Sequence, residues 1–191
     1  MGSLAIVPAA GSAERFGGAK LLADVDGQPL LERTVSCLLN AGVDAVVVVL
    51  GPDADRLKAE VPALRDQRVQ VTLNDDPSRG MFSSLQVGLG RADGDPILVM
   101  PGDMPFAHSG TVATLLSAYQ RTPAMIVSPR YEGKRGHPVL LPPDLRTEIL
   151  DADPLGNLHL ILRAHPDRRV DVDVADRGVV RDVDTVGDLV R

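Results

Sequence analysis

The first residues that could do chemistry follow a short apolar run near the start of the chain. Residues 4–7 are typical of a buried strand, and the mostly small residues 9–20 after it include the cations Arg15 and Lys20. Small residues let the backbone approach an anion closely, and consecutive N–H groups can form a nest around it. The compact ammonium of a lysine also fits between phosphate oxygens. This segment therefore predicts a phosphate-binding loop, with a glycine-rich turn carrying solvated charges as the alternative.

Two well-known phosphate-binding motifs are excluded by the spacing of this loop. The pattern G-x-x-x-x-G-K-[ST] fails because two residues separate Gly17 from Lys20 and Leu21 follows the lysine. The dinucleotide pattern G-x-G-x-x-G fails because position 13 is alanine. The loop is therefore neither an ordinary P-loop nor a dinucleotide fingerprint.

A carboxylate stands in the corresponding position after a later apolar run. Asp103 follows residues 96–100, which predict a strand, and it is flanked by turn-forming glycine and proline. Oxygen donors suit Mg²⁺, which keeps several waters and takes further ligands from phosphates. Asp184 and Asp182 are candidates for a second donor, whereas Asp188 lies three residues after Thr185 and is explained by helix capping. A turn cap is the alternative role for Asp103.

These loops belong to a chain in which strand and helix patterns alternate. The predicted strands are 4–7, 45–50, 69–73, 96–100, 125–128, 139–141, 170–174 and 179–180. The predicted helices are 29–40, 53–61, 83–89, 109–122, 158–165 and a last one capped by Thr185. Alternation of this kind predicts an α/β protein with a mostly parallel sheet, in which ligands bind at the carboxyl ends of the strands.

Composition excludes several other classes of protein. The 191 residues carry a net charge of −6 with 3% aromatic residues, which argues against a nucleic-acid partner. No apolar run approaches the roughly 20 residues that span a membrane, so we expect no membrane partner. The single cysteine, Cys37, cannot form an internal disulfide, and the start lacks the features of a signal peptide. A cytoplasmic location is expected.

Several motifs in order along the chain resemble those of the MobA-like nucleotidyltransferases, and most closely the MocA-type molybdenum cofactor cytidylyltransferases. The first group is Ala9-Ala10-Gly11 with Arg15 and Lys20, Gly27-Gln28-Pro29-Leu30 and Gly80-Met81-Phe82-Ser83-Ser84-Leu85. The second group is Gly102-Asp103-Met104-Pro105, Gly136-His137-Pro138-Val139 and Asp182-Val183-Asp184-Thr185. The resemblance covers nearly the whole chain. It implies one MobA-like NTP transferase domain over residues 1–191 with a three-layer, Rossmann-like fold.

The resemblance implies transfer of a nucleoside monophosphate, with CTP as the expected donor, to a phosphorylated acceptor such as molybdopterin, with release of pyrophosphate. The product would pass to a molybdoenzyme. The expected catalytic residues are Lys20, Arg15 and Asp103, and Mg²⁺ would be held by Asp103 and Asp184. The expected nucleotide-binding residues are Ala9, Ala10, Gly11, Ser12, Arg15, Lys20, Gly80, Ser84 and Asp103.

Three alternatives to this function stay open. A guanylyltransferase of the same family would use GTP, a dinucleotide-using oxidoreductase would share the fold, and a non-catalytic chaperone would only carry the molybdenum cofactor. Two polar residues are also ambiguous. His137 is either on the acceptor side or structural, and Asn74 either forms an Asx turn before Gly80 or touches the nucleotide.

Overall fold

A mixed β-sheet runs through the computed structural model, which describes residues 2–11, 16 and 19–189. The strands are β1 Leu4–Ala9, β2 Asp24–Val25, β3 Gln28–Pro29, β4 Ala45–Leu50, β5 Val69–Leu73, β6 Ile97–Val99, β7 Ile126–Tyr131, β8 Lys134–Arg135, β9 Val139–Leu141 and β10 Arg169–Asp173. The α-helices are α1 Leu30–Asn40, α2 Ala54–Glu60, α3 Met81–Leu89, α4 Ser109–Arg121, α5 Leu145–Asp151 and α6 Leu158–Ala164.

The order of strands in the sheet is β10-β7-β9-β6-β1-β4-β5, with β8 attached to β7 as a hairpin. Neighbouring strands of this sheet are parallel except at β9, which runs antiparallel to β6 and β7, and at β8, which runs antiparallel to β7. β2 and β3 pair with each other in a separate antiparallel sheet. The chain first builds outward from β1 through β4 to β5 and then crosses to the other side of β1 to form β6. This reversal opens a crevice at the carboxyl ends of β1 and β6, where α/β proteins bind ligands.

Both faces of the sheet are covered by helices, which explains why its central strands β1, β4 and β6 are continuously apolar. In β1, Ala5 and Val7 pack into one core cluster with α1, α2 and α4, whereas Leu4 and Ile6 pack into a second with α3 and α5. β4 alternates in the same way. Successive side chains of a strand point to opposite faces, so a strand between two helical layers needs apolar residues at every position. The predicted three-layer α/β architecture is confirmed.

Two local predictions need correction, and one helix was not predicted. Residues 179–180 are not a strand but the end of a 3-10 helix, Arg177–Val180, because the Asp176 carboxylate accepts the Gly178 N–H and tightens the turn. β1 continues through Pro8, whose carbonyl accepts the Gly102 N–H. Helix α5 was not predicted, although Pro142-Pro143-Asp144 before Leu145 is a recognisable helix start.

None of the helices in the described part of the chain is both long enough and apolar enough to cross a membrane.

Cys37 lies in α1 against the sheet, and we expect its thiol to be unreactive in the native protein. Burial, helped by the charge of Asp176, raises the pKa of this thiol to about 12. Since the thiolate is the reactive form, labelling with a disulfide reagent at pH 8 should be at least about a hundredfold slower than in denaturant. The same sample in guanidinium is the control, and its single thiol should react with one equivalent of the reagent. Rapid labelling of the native protein would contradict this packing.

Candidate active site

The loops that follow β1 and β6 are held in direct contact. The Gly102 N–H donates to the Pro8 carbonyl over 2.9 Å, and the Thr34 hydroxyl of α1 donates to the Gly102 carbonyl over 3.1 Å. A Cβ at position 102 would lie 2.8 Å from the Cβ of Ala9, so the approach requires glycine. The two chemically interesting loops are therefore fixed against each other at the crevice.

Lys20 brings the two loops and the end of the chain to one point. It begins the short 3-10 helix Lys20–Leu22, and its Nζ lies 2.8 Å from Oδ2 of Asp103 and 3.2 Å from Oδ1 of Asp184. The lysine side chain is 14% exposed and that of Asp103 26%, whereas Asp184 is 55% exposed. One ammonium is thus shared by a sheltered carboxylate and a more open one.

The backbone explains why Asp184 reaches this point. The Val183 N–H donates to the Asp103 carbonyl over 3.0 Å, which fixes the segment after residue 182 beside the β6 loop. The carboxylate of Asp188 accepts the Thr185 N–H and hydroxyl at 2.7 and 2.8 Å, and the Asp184 N–H at 3.2 Å. The predicted capping role of Asp188 is confirmed: from within the 3-10 helix Val186–Leu189, its carboxylate reaches back to Thr185 in front of that helix.

The protonation of Lys20 follows from these contacts. Burial acts to lower the pKa of this ammonium, but hydrogen bonds and charge attraction from Asp103 and Asp184 outweigh it and raise the pKa. Lys20 is therefore a permanent cation at neutral pH. It can attract the phosphates of a nucleotide without a proton being exchanged.

The donor set fits a hard divalent cation that also binds phosphate. Asp103 and Asp184 each place an oxygen within hydrogen-bond range of the same Lys20 nitrogen, so their carboxylates converge on one position. Among the described residues, no three histidine, cysteine or acidic side chains form a metal-binding group. Two carboxylates with room for water and phosphate oxygens match the preference of Mg²⁺.

A cleft of about 680 Å³ opens beside this cation. Most of the predicted site residues line it: Ala9, Ala10, Gly11, Lys20, Gly80, Ser84, Asp103 and Asp184. Ser12 and Arg15 lie outside the described residues. Gly51, Pro52 and Asp53 also line the cleft, but no sequence motif indicated them. These residues directly follow β4, a position that could have suggested them.

The wall formed by α3 depends on Gly80 and Asn74. Gly80 precedes the helix with φ +89°, a conformation that favours glycine. Asn74 accepts the Asp76 N–H on its side-chain oxygen over 3.1 Å, which confirms the predicted Asx turn. Its amide donates to the hydroxyls of Ser83 and Ser84, both at 2.9 Å. A buried polar network therefore holds Ser84 at the cleft.

His137 does not line the 680 Å³ cleft. Its Nδ1 lies 3.2 Å from the Val99 carbonyl, which can only accept, so Nδ1 carries the hydrogen. Burial lowers the pKa of this imidazole, although the Val99 carbonyl and the charges of Asp103 and Asp182 act in the opposite direction. His137 is therefore neutral at pH 7 and ties the start of β9 to the end of β6.

The lowered pKa makes His137 a source of acid sensitivity. In the unfolded chain this histidine protonates near pH 6.5, but in the folded protein only at lower pH. Its contribution to stability is thus present above pH 6.5 and is lost as the pH falls towards the folded pKa, by at most about 1.4 kcal/mol per pH unit. We expect His137→Gln to flatten the fall in unfolding free energy between pH 7.5 and 5.5 in urea titrations.

The matched control for that experiment is His159→Gln, which changes an exposed histidine of α6. It should leave the pH dependence of the wild type intact. Equal slopes for the wild type and His137→Gln would contradict the inferred neutral imidazole.

The sheet, the cleft at its carboxyl edge and the cation between two carboxylates define an α/β nucleotidyltransferase. The chain belongs to the MobA-like NTP transferase family, whose domain matches residues 5–170.

Three proteins illustrate what the chain is similar to. Nicotine blue oxidoreductase of Paenarthrobacter nicotinovorans is 30% identical over 97% of this chain and 94% of its own. A probable molybdenum cofactor guanylyltransferase of Thermococcus gammatolerans is 30% identical over 66% of this chain and 61% of its own. The crystal structure of Rv0371c of Mycobacterium tuberculosis in complex with manganese is 26% identical with a TM-score of 0.75, covering 98% of this chain and 96% of that one.

Proposed function

We propose that the protein is a Mg²⁺-dependent cytidylyltransferase that transfers CMP from CTP to a phosphorylated acceptor and releases pyrophosphate. The observation that carries the proposal is the Lys20 ammonium shared between Asp103 and Asp184 beside a cleft walled by small residues. A fixed cation next to two convergent carboxylates can hold a triphosphate together with the metal ion that accompanies it.

Different residues of the chain would perform different parts of such a transfer. Negative charge spreads over the α-phosphate and the departing pyrophosphate in the transition state, so positioning and electrostatics dominate. Lys20, Arg15 and the amides of the first loop would hold the triphosphate and stabilise the leaving group. A phosphate acceptor is already ionised near neutral pH, so the site needs no general base.

Asp103 and Asp184 would hold the metal ion. A bound Mg²⁺ would supply positive charge that neutralises the phosphate groups of the nucleotide. The relative Rv0371c, whose structure contains manganese, supports a divalent cation in this family.

The choice of CTP rests on the walls of the cleft. Ala10 adds a methyl group where glycine would leave more space, and this narrowing favours a pyrimidine. Ser84, which carries a hydroxyl, also lines the cleft. The relative named as a guanylyltransferase makes GTP the alternative donor within the same reaction.

Molybdopterin is the proposed acceptor. The motifs from Ala9 to Asp184 resemble those of molybdenum cofactor cytidylyltransferases, and one relative is named as acting on the molybdenum cofactor. The product would then be delivered to a molybdoenzyme in the cytoplasm. A chaperone that only binds the cofactor would keep the cleft but would release no pyrophosphate.

The test is a panel of the four ribonucleoside triphosphates with Mg²⁺ and molybdopterin, read by pyrophosphate release. Release with CTP that requires the acceptor supports the proposal, and preference for GTP selects the guanylyltransferase alternative. No release with any triphosphate, together with no binding in calorimetry, would overturn it.

A second candidate function is that of a dinucleotide-using oxidoreductase. It is favoured by the match to nicotine blue oxidoreductase over 97% of the chain. The loop after β1 argues against this function, because it lacks the dinucleotide fingerprint. Titration with NADPH, followed by its fluorescence, separates the two: saturable binding without any triphosphate turnover would favour the oxidoreductase.

A further inference from the structure

The orientation of the Asn74 side chain is fixed by its surroundings. Asn74 is 3% exposed, and one of its side-chain atoms faces the Asp76 N–H. Because a backbone N–H can only donate, that atom is the amide oxygen, and the amide nitrogen must be the atom that faces Ser83 and Ser84. Both serine hydroxyls therefore accept a hydrogen bond from Asn74.

The two serines differ in what they do with their own hydrogen. Ser83 donates to the Gly80 carbonyl over 2.8 Å and is fully paired. Ser84 is 2% exposed and lines the cleft, and no acceptor for its hydrogen lies among the residues that the structure describes. The carbonyl one helical turn back, that of Gly80, accepts the Ser83 hydroxyl, and no hydrogen bond to it from the Ser84 hydroxyl is found in the described part of the chain. The Ser84 hydroxyl thus already accepts one hydrogen bond, from Asn74, while its own hydrogen still lacks an acceptor, so a ligand group that accepts satisfies it best.

We infer that Asn74 is a positioning residue that makes Ser84 a fixed hydrogen-bond donor towards the cleft, and so selects a base that presents an acceptor there. The inference rests on the proposed function for the presence of a nucleotide. Cytosine and uracil have the same size but opposite polarity at N3, because N3 of cytosine accepts and N3–H of uracil donates. A fixed donor therefore favours cytosine, whereas a freely rotating hydroxyl could serve either base.

Substitution of Asn74 by aspartate should invert this selection. The carboxylate of Asn74→Asp can still accept the Asp76 N–H, so the turn is kept. It cannot donate, so the Ser84 hydrogen should turn to the carboxylate and leave the hydroxyl oxygen as an acceptor at the cleft. The measurement is the ratio of CTP to UTP dissociation constants by calorimetry with Mg²⁺. We expect about a tenfold preference for CTP in the wild type, the effect of one neutral hydrogen bond, and a preference for UTP in Asn74→Asp.

Two serine variants and a double variant complete the test. Ser84→Ala should bring the ratio close to one, and Asn74→Asp should then have no further effect on the ratio in the Ser84→Ala background. Ser83→Ala is the matched control, since it removes a hydroxyl bonded to the same amide that does not line the cleft. It should keep the wild-type ratio. If Asn74→Asp does not fold, Asn74→Ala takes its place and should give a ratio near one.

The outcomes separate this inference from the proposed function. If the wild type binds none of the triphosphates, both the proposed function and the inference are overturned. Binding of CTP with a ratio that is unchanged by Ser84→Ala, or by the Asn74 variant, would overturn only the inference. A ratio that changes equally in Ser83→Ala would also overturn it, because the effect would then be general loosening of α3.

Discussion

Replacement of Lys20 by alanine is expected to lower kcat for nucleotidyl transfer by at least about a hundredfold, the scale of losing one preorganised charge. Lys20 is the point where the two loops and the end of the chain converge, at 2.8 Å from Asp103 and 3.2 Å from Asp184. Its charge would act on the leaving pyrophosphate, where negative charge grows in the transition state. The loss should therefore appear mainly in kcat, with a smaller effect on the KM for CTP.

Lys58→Ala is the matched control for this variant, because Lys58 is an exposed lysine of α2. It should keep wild-type turnover, and both variants should keep the wild-type circular dichroism spectrum. Steady-state pyrophosphate release gives both constants. Turnover of Lys20→Ala within a few fold of the wild type would remove the lysine from the catalytic assignment.

Asp103→Asn is expected to have a comparable effect, also at least about a hundredfold on kcat. The amide keeps the shape of the side chain but loses the charge that would hold a divalent cation. The Mg²⁺ dependence should also change, because the concentration needed for half-maximal activity should rise by an order of magnitude or more. Asp103→Ala should lose as much turnover, since either substitution removes the charge.

Asp182→Asn and Asp184→Asn form a matched pair for the second ligand. Asp184 contacts Lys20, whereas no contact between Asp182 and Lys20 is found in the described part of the chain. We expect Asp184→Asn to shift the Mg²⁺ dependence and Asp182→Asn to leave it close to the wild type. The reverse result, or near-normal turnover of Asp103→Asn, would contradict the assignment of the metal ligands.

The site was predictable to the extent that its residues sit at the ends of recognisable strands. The apolar runs at residues 4–7 and 96–100 identified the two loops, because the carboxyl ends of parallel strands share one edge of a sheet. Small residues and charges then identified Lys20 and Asp103. The Asx turn of Asn74 was predictable for the same kind of reason, since it depends on two residues only.

Features that depend on contacts distant in sequence were not predictable. The pair of valines at 179 and 180 resembles a strand, but Asp176 caps a tight turn there and the Val179 carbonyl accepts the His137 N–H. His137 follows a glycine and precedes a proline in a motif that suggested the acceptor side. Its Nδ1 faces the Val99 carbonyl, a partner 38 positions away.

By itself, the sequence determined the α/β class, the two loops and the types of residue in them, because alternation of apolar runs and the chemistry of side chains are local properties. Only the tertiary structure decided that Asp184 contacts Lys20, which is 164 positions away in the sequence. It also decided that β9 runs antiparallel to β6 and that the Asn74 amide donates a hydrogen bond to Ser84. These facts depend on which segments pack together, and packing is a property of the whole chain that no short stretch of it encodes.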